Sequence, residues 1–144
     1  MSERPRGPEL LCIGGGAALL ASSFVHWVRR GPGSRLRGHD LVDAIVDVGR
    51  SIPGLSGARL SALWYLVPAL GALTWVAVGL TGAASGWTRG VGIAAVVVSG
   101  LVFVAFARLA GLRDLGLGAP LAVAGACAVL AGSIMSARMH QTGP

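Results

Sequence analysis

The chain has 144 residues, of which 53% are hydrophobic and 12% are charged, and its mean hydropathy is +0.70. A soluble domain usually carries about 25% charged residues, so the charged side chains here are too few to coat a water-soluble globule. The net charge is +6, and every basic residue is arginine. The arginines lie in short polar segments between apolar runs, a pattern typical of membrane topology signals and not of a nucleic-acid surface.

The first apolar run, residues 10–28, is long enough to cross a bilayer, because a transmembrane helix needs about 20 apolar residues. Arg29 and Arg30 end the run. The alternative interpretation is a signal peptide with a cleavage site near residues 21–23. The apolar sequence continues past that site to Trp27, which favours a membrane span.

Residues 29–60 form the one long polar connection between apolar runs. Within it, residues 40–48 predict a short amphipathic helix, because their apolar side chains share one side at about 100° per residue. We expect this helix to lie at the membrane surface. The same loop contains four arginines that we predict to contact lipid head groups: Arg29, Arg30, Arg35 and Arg37.

Three further apolar runs follow, joined by short turns, at residues 61–80, 91–108 and 120–136. Short turns make consecutive helices antiparallel neighbours. The sequence therefore predicts an all-α, four-helix transmembrane bundle that forms a single integral membrane domain over residues 1–144. Pro68 lies inside the second run, where it is expected to kink the helix.

Small residues at four-residue spacing predict close helix packing, which in lipid depends on van der Waals contact between backbones. The first run has such a row at Gly14, Ala18 and Ser22. The fourth run has two rows, at Gly118, Ala122 and Ala126, and at Ala124, Ala128 and Gly132. These rows predict close-packing faces on the first and fourth helices, which could pack against each other. The alternative is chance spacing in a chain with 23 glycines.

The candidates for chemistry are few. His26 lies close to the end of the first run, where it is either an intramembrane functional group or, as we favour, an interfacial side chain. The only acidic and imidazole cluster consists of His39, Asp40, Asp43 and Asp47. Its aspartates share a helix face and could hold a hard cation, but a solvated acidic edge beside arginines is the simpler interpretation. We therefore predict no catalytic residue, metal site or cofactor.

Three segments carry a resemblance to a known group: residues 23–29 (SFVHWVR), 38–42 (GHDLV) and 64–68 (WYLVP). With them, the layout resembles the small four-helix membrane proteins common in actinobacteria, a resemblance that implies the fold but no activity. One helix, a long loop and three closely linked helices are also similar to the claudin-like plan. The paired loop cysteines typical of claudins are absent.

Three functions remain open from the sequence. The leading one is a non-enzymatic accessory or scaffold protein of the cell membrane, acting through helix contacts with itself or with a larger membrane complex. The second is a small transporter or channel subunit, with Pro68 breaking a helix and His26 near a pathway, although few intramembrane polar groups are present. The third is a membrane enzyme that acts on lipids through His39 and the aspartates. In each case the lipid bilayer is the expected partner and nucleic acid is not.

Overall fold

The structure is a computed structural model that describes residues 7–29, 57–110 and 112–141. In these residues it contains four α-helices and a short 3-10 turn, Leu112–Asp114. The helices are α1 (Gly7–Ser22), α2 (Gly57–Thr81), α3 (Gly86–Ala110) and α4 (Gly118–Gln141). The predicted all-α, four-helix fold is confirmed. The amphipathic helix predicted over residues 40–48 lies outside the described part of the chain.

The helices form a ring in which each one packs against two neighbours. The contact between α1 and α4 is the most extensive, and α1 contacts α2 on its other side. Helix α3 closes the ring through contacts with α2 and α4. The first and last helices of the chain thus pack against each other, and α1 lies between α4 and α2.

The bundle is apolar on the outside. Large hydrophobic side chains point away from it, including Leu80 at 80% exposure and Trp87 at 62%. Among the best-buried side chains are hydroxyl groups: Ser22, Thr74, Thr88, Ser99 and Ser133. A water-soluble protein has the opposite distribution, and α2, α3 and α4 each contain a stretch long and apolar enough to cross a membrane. The outer surface is therefore suited to hydrocarbon.

Three of the buried hydroxyls, those of Ser22, Thr74 and Ser133, donate to carbonyls of their own helices. Ser22 donates to the Leu19 carbonyl at 2.7 Å, and Thr74 donates to the Leu70 carbonyl at 2.8 Å. A hydroxyl in hydrocarbon needs such a partner, because no water is present to replace it. These three side chains thus fill space between helices with their hydroxyls paired, whereas the buried Oγ atoms of Ser23 and Ser99 have no hydrogen-bond partner.

Helix α1 is shorter than its apolar run. The run was predicted to be helical over residues 10–28, but the helix ends at Ser22 and has 16 residues, about 24 Å of length. After Ser22 the chain turns, as the N–H groups of Ser23 and Phe24 bond carbonyls three residues earlier. The predicted span was based on apolar composition, which does not indicate where within the run the helix ends.

The other helices extend beyond the predicted spans at both ends. Helix α2 begins at Gly57, so the last four residues of the predicted loop 29–60 are helical. It continues through Pro68 and ends at Thr81, and the next residue, Gly82, has a φ of +80° that suits a glycine C-cap. Ser85 then caps α3, since its Oγ accepts the Thr88 N–H at 3.1 Å. These caps reduce the connection between α2 and α3 to a tight turn.

Candidate functional site

The chain after α1 folds back against the segment that precedes α4. We call this arrangement the clasp, formed by residues 23–29 on one side and 114–118 on the other. Its centre is an isolated antiparallel bridge between Val28 and Leu115. Three backbone N–H groups, of Arg29, Gly116 and Gly118, donate to the carbonyls of Asp114, Trp27 and His26 at 2.7, 2.8 and 3.1 Å. The clasp therefore satisfies non-helical backbone at the end of the bundle, where solvent access is limited.

Trp27 fills the space beneath the clasp and is 1% exposed. Its indole Nε1 donates to the Ser22 carbonyl at 2.7 Å, which caps the end of α1. The ring centroid lies 6.3 Å from that of Trp64 and 5.2 Å from that of Phe106. A Cβ at Gly118 would lie 2.5 Å from the indole, so only glycine fits at that position. Trp27 lies at the end of the bundle, where a tryptophan is typical of a membrane interface, but here the ring is buried in protein.

His26 and Arg29 lie on the outside of the clasp. Both side chains are exposed, and they line an open groove of about 260 Å³ with Val25, Val28, Gly116 and Leu117. His26 follows the end of α1 instead of lying within a membrane-spanning helix. The interfacial position favoured from the sequence stays a prediction.

Most of the other predicted polar residues cannot be placed. His39, Asp40, Asp43 and Asp47 lie outside the described residues, as do Arg30, Arg35 and Arg37. Within the described part of the chain, no group of three or more His, Cys, Asp or Glu side chains could hold a metal ion. Among the described residues, the candidate functional surfaces are therefore the clasp and the contacts between helices.

The contact between α1 and α4 follows one antiparallel register. Three glycines of α4, spaced by seven residues, each face a backbone carbonyl of α1. A Cβ at Gly118 would lie 3.1 Å from the Ser22 oxygen, one at Gly125 would lie 2.8 Å from the Gly15 oxygen, and one at Gly132 would lie 2.6 Å from the Pro8 oxygen. Seven-residue spacing keeps one helix face toward its partner, and glycine lets the two backbones approach.

The predicted packing rows are divided between this contact and the outer surface. Five of their residues are buried: Ser22, Gly118, Ala122, Ala126 and Gly132. Gly14 and Ala124 are exposed, and Ala18 and Ala128 are half-buried. These last four small residues line an open groove of about 240 Å³ along the α1–α4 pair. We call it the α1–α4 groove.

Sequence reasoning missed Gly15 and Gly125, which approach each other most closely. A Cβ at Gly15 would lie 2.5 Å from the Gly125 oxygen. A pattern of small residues at four-residue spacing does not identify a contact that repeats every seven residues, which is two helical turns. The seven-residue spacing of Gly118, Gly125 and Gly132 was the signal that could have identified it.

Glycines also bring α1 close to α2. Trp75 donates its indole N–H to the Ile13 carbonyl at 2.9 Å, although its ring is 45% exposed. A Cβ at Gly16 would lie 2.8 Å from the same indole nitrogen, and one at Gly71 would lie 2.8 Å from the Gly16 oxygen. This bond explains why a tryptophan lies deep in an apolar helix, away from the interface that this residue type prefers.

Comparisons with protein-family models, with curated proteins and with solved structures find no match to this chain. The assignment therefore depends on the fold itself. A bundle with an apolar exterior and three helices able to cross a bilayer defines the class as an α-helical membrane protein.

Proposed function

We propose that this protein is a non-enzymatic accessory or scaffold protein that crosses the cell membrane four times and acts through helix contacts inside the bilayer. The observation that carries the proposal is the α1–α4 groove. Four of its small residues, Gly14, Ala18, Ala124 and Ala128, remain exposed or half-buried after α1 and α4 have packed together.

Such a groove suits another transmembrane helix. Lipid tails are as apolar as leucine, so helices in a bilayer associate through close packing and not through the hydrophobic effect. Small residues allow that packing because they let a second backbone approach. Leu10 and Leu11 also line the groove, and both are exposed. A partner helix would have small residues to approach and large apolar side chains to pack beside.

The register between α1 and α4 supports the proposal of four crossings. Although α1 has only 16 residues, it faces α4 from Gly132 near Pro8 to Gly118 near Ser22. If α4 crosses the bilayer, α1 extends with it over most of the hydrocarbon thickness. The hydrocarbon core of a bilayer is about 30 Å thick, a few ångströms more than the length of α1. Local thinning of the bilayer, or the residues of the clasp that follow α1, can span the difference.

The alternative functions have less support. A transport pathway needs polar groups that face it, whereas Ser22, Thr74 and Ser133 donate to carbonyls of their own helices. The lipid enzyme depends on His39 and the aspartates, which lie outside the described residues. Helix association needs only the surface that the described helices present.

The test substitutes two glycines that both have open space around them. A Cβ at Gly14 or at Gly79 would meet nothing within 4 Å. Of these two glycines, only Gly14 lines the α1–α4 groove. Gly14→Leu fills the groove, and Gly79→Leu adds the same side chain to the outside of α2. Two differently tagged copies are expressed together, cross-linked in the membrane and purified in mild detergent, and cross-linked products are compared among wild type and both variants.

We expect wild type and Gly79→Leu to give the same cross-linked product, with the second copy or with another membrane protein, and Gly14→Leu to lose most of it. A wild-type protein that is monomeric and forms no product would refute the proposal. Equal products from both variants would remove the α1–α4 groove as the contact surface.

A further inference from the structure

The outside of the clasp combines positive charge with apolar surface. The groove beside it is lined by His26 and Arg29, and its other walls are Val25, Val28, Gly116 and Leu117. Leu117 is 68% exposed. A basic rim next to an apolar wall is the arrangement that suits a molecule with an anionic head and a hydrocarbon tail.

Further positive charge lies near this groove. Arg113 is exposed and precedes Asp114, whose carbonyl accepts the Arg29 N–H at 2.7 Å. The groove also adjoins the start of α4, since Gly116 and Leu117 immediately precede that helix. The amino end of a helix carries a partial positive charge that favours anions. Within residues 23–29 and 113–118, the two arginines outnumber the single carboxylate, that of Asp114, so the net side-chain charge has the same sign as the helix end.

With α1 and α4 crossing the bilayer as proposed above, the groove lies at the end of the bundle, where lipid head groups begin. Ser22 and Gly118 mark the level at which α1 ends and α4 begins. The clasp lies directly beyond that level, over the buried ring of Trp27. The buried Trp64 ring lies 6.3 Å from it, and the ring of Tyr65, which is 52% exposed, lies 5.2 Å from Trp64. Aromatic residues with amphipathic rings concentrate where hydrocarbon meets head groups. In the proposed crossing, Arg29 and His26 would face the head groups, with Leu117 beside them.

We propose that this groove binds an anionic phospholipid. Arg29 and His26 would contact the phosphate, and the beginning of an acyl chain would lie along Leu117 and Val25. A free phosphate ion would use only the charged rim. The apolar wall, together with the neighbouring Phe24 at 70% exposure, is the reason for choosing the lipid over the ion. This inference rests on the proposed crossing of the bilayer by α1 and α4, but not on the α1–α4 groove.

The experiment counts lipids bound to the intact chain. The protein is purified in a mild detergent and titrated with phosphatidylglycerol or with phosphatidylcholine, and bound lipid is resolved by native mass spectrometry. Arg29→Gln removes one charge from the groove. Arg138→Gln removes the same charge from the last turn of α4, at the opposite end of the bundle, and is the matched control.

We expect wild type to bind phosphatidylglycerol in preference to phosphatidylcholine. Arg29→Gln should weaken that binding about five-fold, the effect of one basic group near an anionic surface. Arg138→Gln should change it by less than about two-fold, as is usual for a substitution on the surface. Equal binding of both lipids by wild type, or equal losses in the two variants, would overturn the proposal.

A second arm separates the lipid from a soluble anion. Leu117→Ser keeps the charged rim and removes part of the apolar wall. We expect it to weaken binding of phosphatidylglycerol, and we expect an excess of inorganic phosphate not to displace the lipid from wild type. If inorganic phosphate displaces the lipid and Leu117→Ser has no effect, the groove is an anion site and the lipid assignment is wrong.

Discussion

Gly15 of α1 and Gly125 of α4 lie back to back: a Cβ at Gly15 would lie 2.5 Å from the Gly125 oxygen, and one at Gly125 would lie 2.8 Å from the Gly15 oxygen. Real Cβ atoms do not approach backbone this closely. The pair lies midway along a register in which the residue numbers of facing positions add up to 140, as for Ser22 with Gly118 and Pro8 with Gly132. The two helices can approach this closely only while these positions have no side chain.

The first prediction concerns this pair. Gly125→Ala should lower the free energy of unfolding by about 1–3 kcal/mol, because the added methyl group forces the helices apart. Gly14→Ala is the control, since a Cβ there meets nothing within 4 Å. It should be neutral or stabilising by up to about 1 kcal/mol, the helix-propensity gain of alanine over glycine. Unfolding is followed by circular dichroism as SDS is added to mixed micelles. Two variants that change stability in the same direction and by the same amount would contradict the register.

The second prediction concerns the indole of Trp27. Trp27→Phe keeps most of the packing against Trp64 and Phe106, but it removes the donor to the Ser22 carbonyl. A buried carbonyl left without a partner costs about 1–3 kcal/mol, and the same unfolding titration measures the loss. Trp87→Phe is the matched control, because Trp87 is 62% exposed, and it should cost less than about 0.5 kcal/mol. Equal stability of Trp27→Phe and wild type would mean that the indole does not cap α1.

The third prediction tests whether Gly16 is needed because of Trp75. Gly16→Ala places a methyl group 2.8 Å from the indole nitrogen, which should destabilise the protein by about 1–3 kcal/mol. With Trp75→Ala present, the same substitution should cost less, because the ring is no longer there to be displaced. A double-mutant cycle should give a coupling of at least about 0.5 kcal/mol. Additive effects would show that the two side chains are independent.

The fourth prediction concerns the turn between α2 and α3. Ser85 accepts the Thr88 N–H at 3.1 Å, and its Oγ lies 2.7 Å from the Thr81 hydroxyl. Ser85→Ala should therefore cost about 1 kcal/mol, a typical value for an N-cap. Ser85→Asp retains an acceptor for the same N–H and should restore most of the stability. A loss of equal size in both variants would point to the hydroxyl contacts instead of the cap.

The fold was largely predictable from the sequence, because hydrocarbon as a solvent imposes long apolar runs that few other structures produce. Helices α2, α3 and α4 contain the predicted spans entirely. The end of α1 was not predictable from composition. Residues 23–28 are as apolar as the helix before them, and the turn depends on a tertiary contact, the indole of Trp27 against Gly118.

The packing faces were predictable only in part. Four-residue spacing identified Gly118 and Gly132, which contact α1, and also Gly14 and Ala124, which lie on the outside. Which small residue faces a neighbour depends on the rotation of each helix about its axis, and an alanine- and glycine-rich sequence does not determine that rotation. Of the predicted polar site, only His26 and Arg29 lie within the described residues, and the clasp places them together.

The central claim is that the outer surface of the bundle faces lipid. Membranes from cells that express the full chain are washed with alkaline carbonate, which removes peripheral proteins, and are then treated with detergent. We predict that the protein stays in the pellet through the wash and is released only by detergent, with its helical circular dichroism retained. A folded, helical protein recovered in the aqueous fraction without detergent would contradict the account.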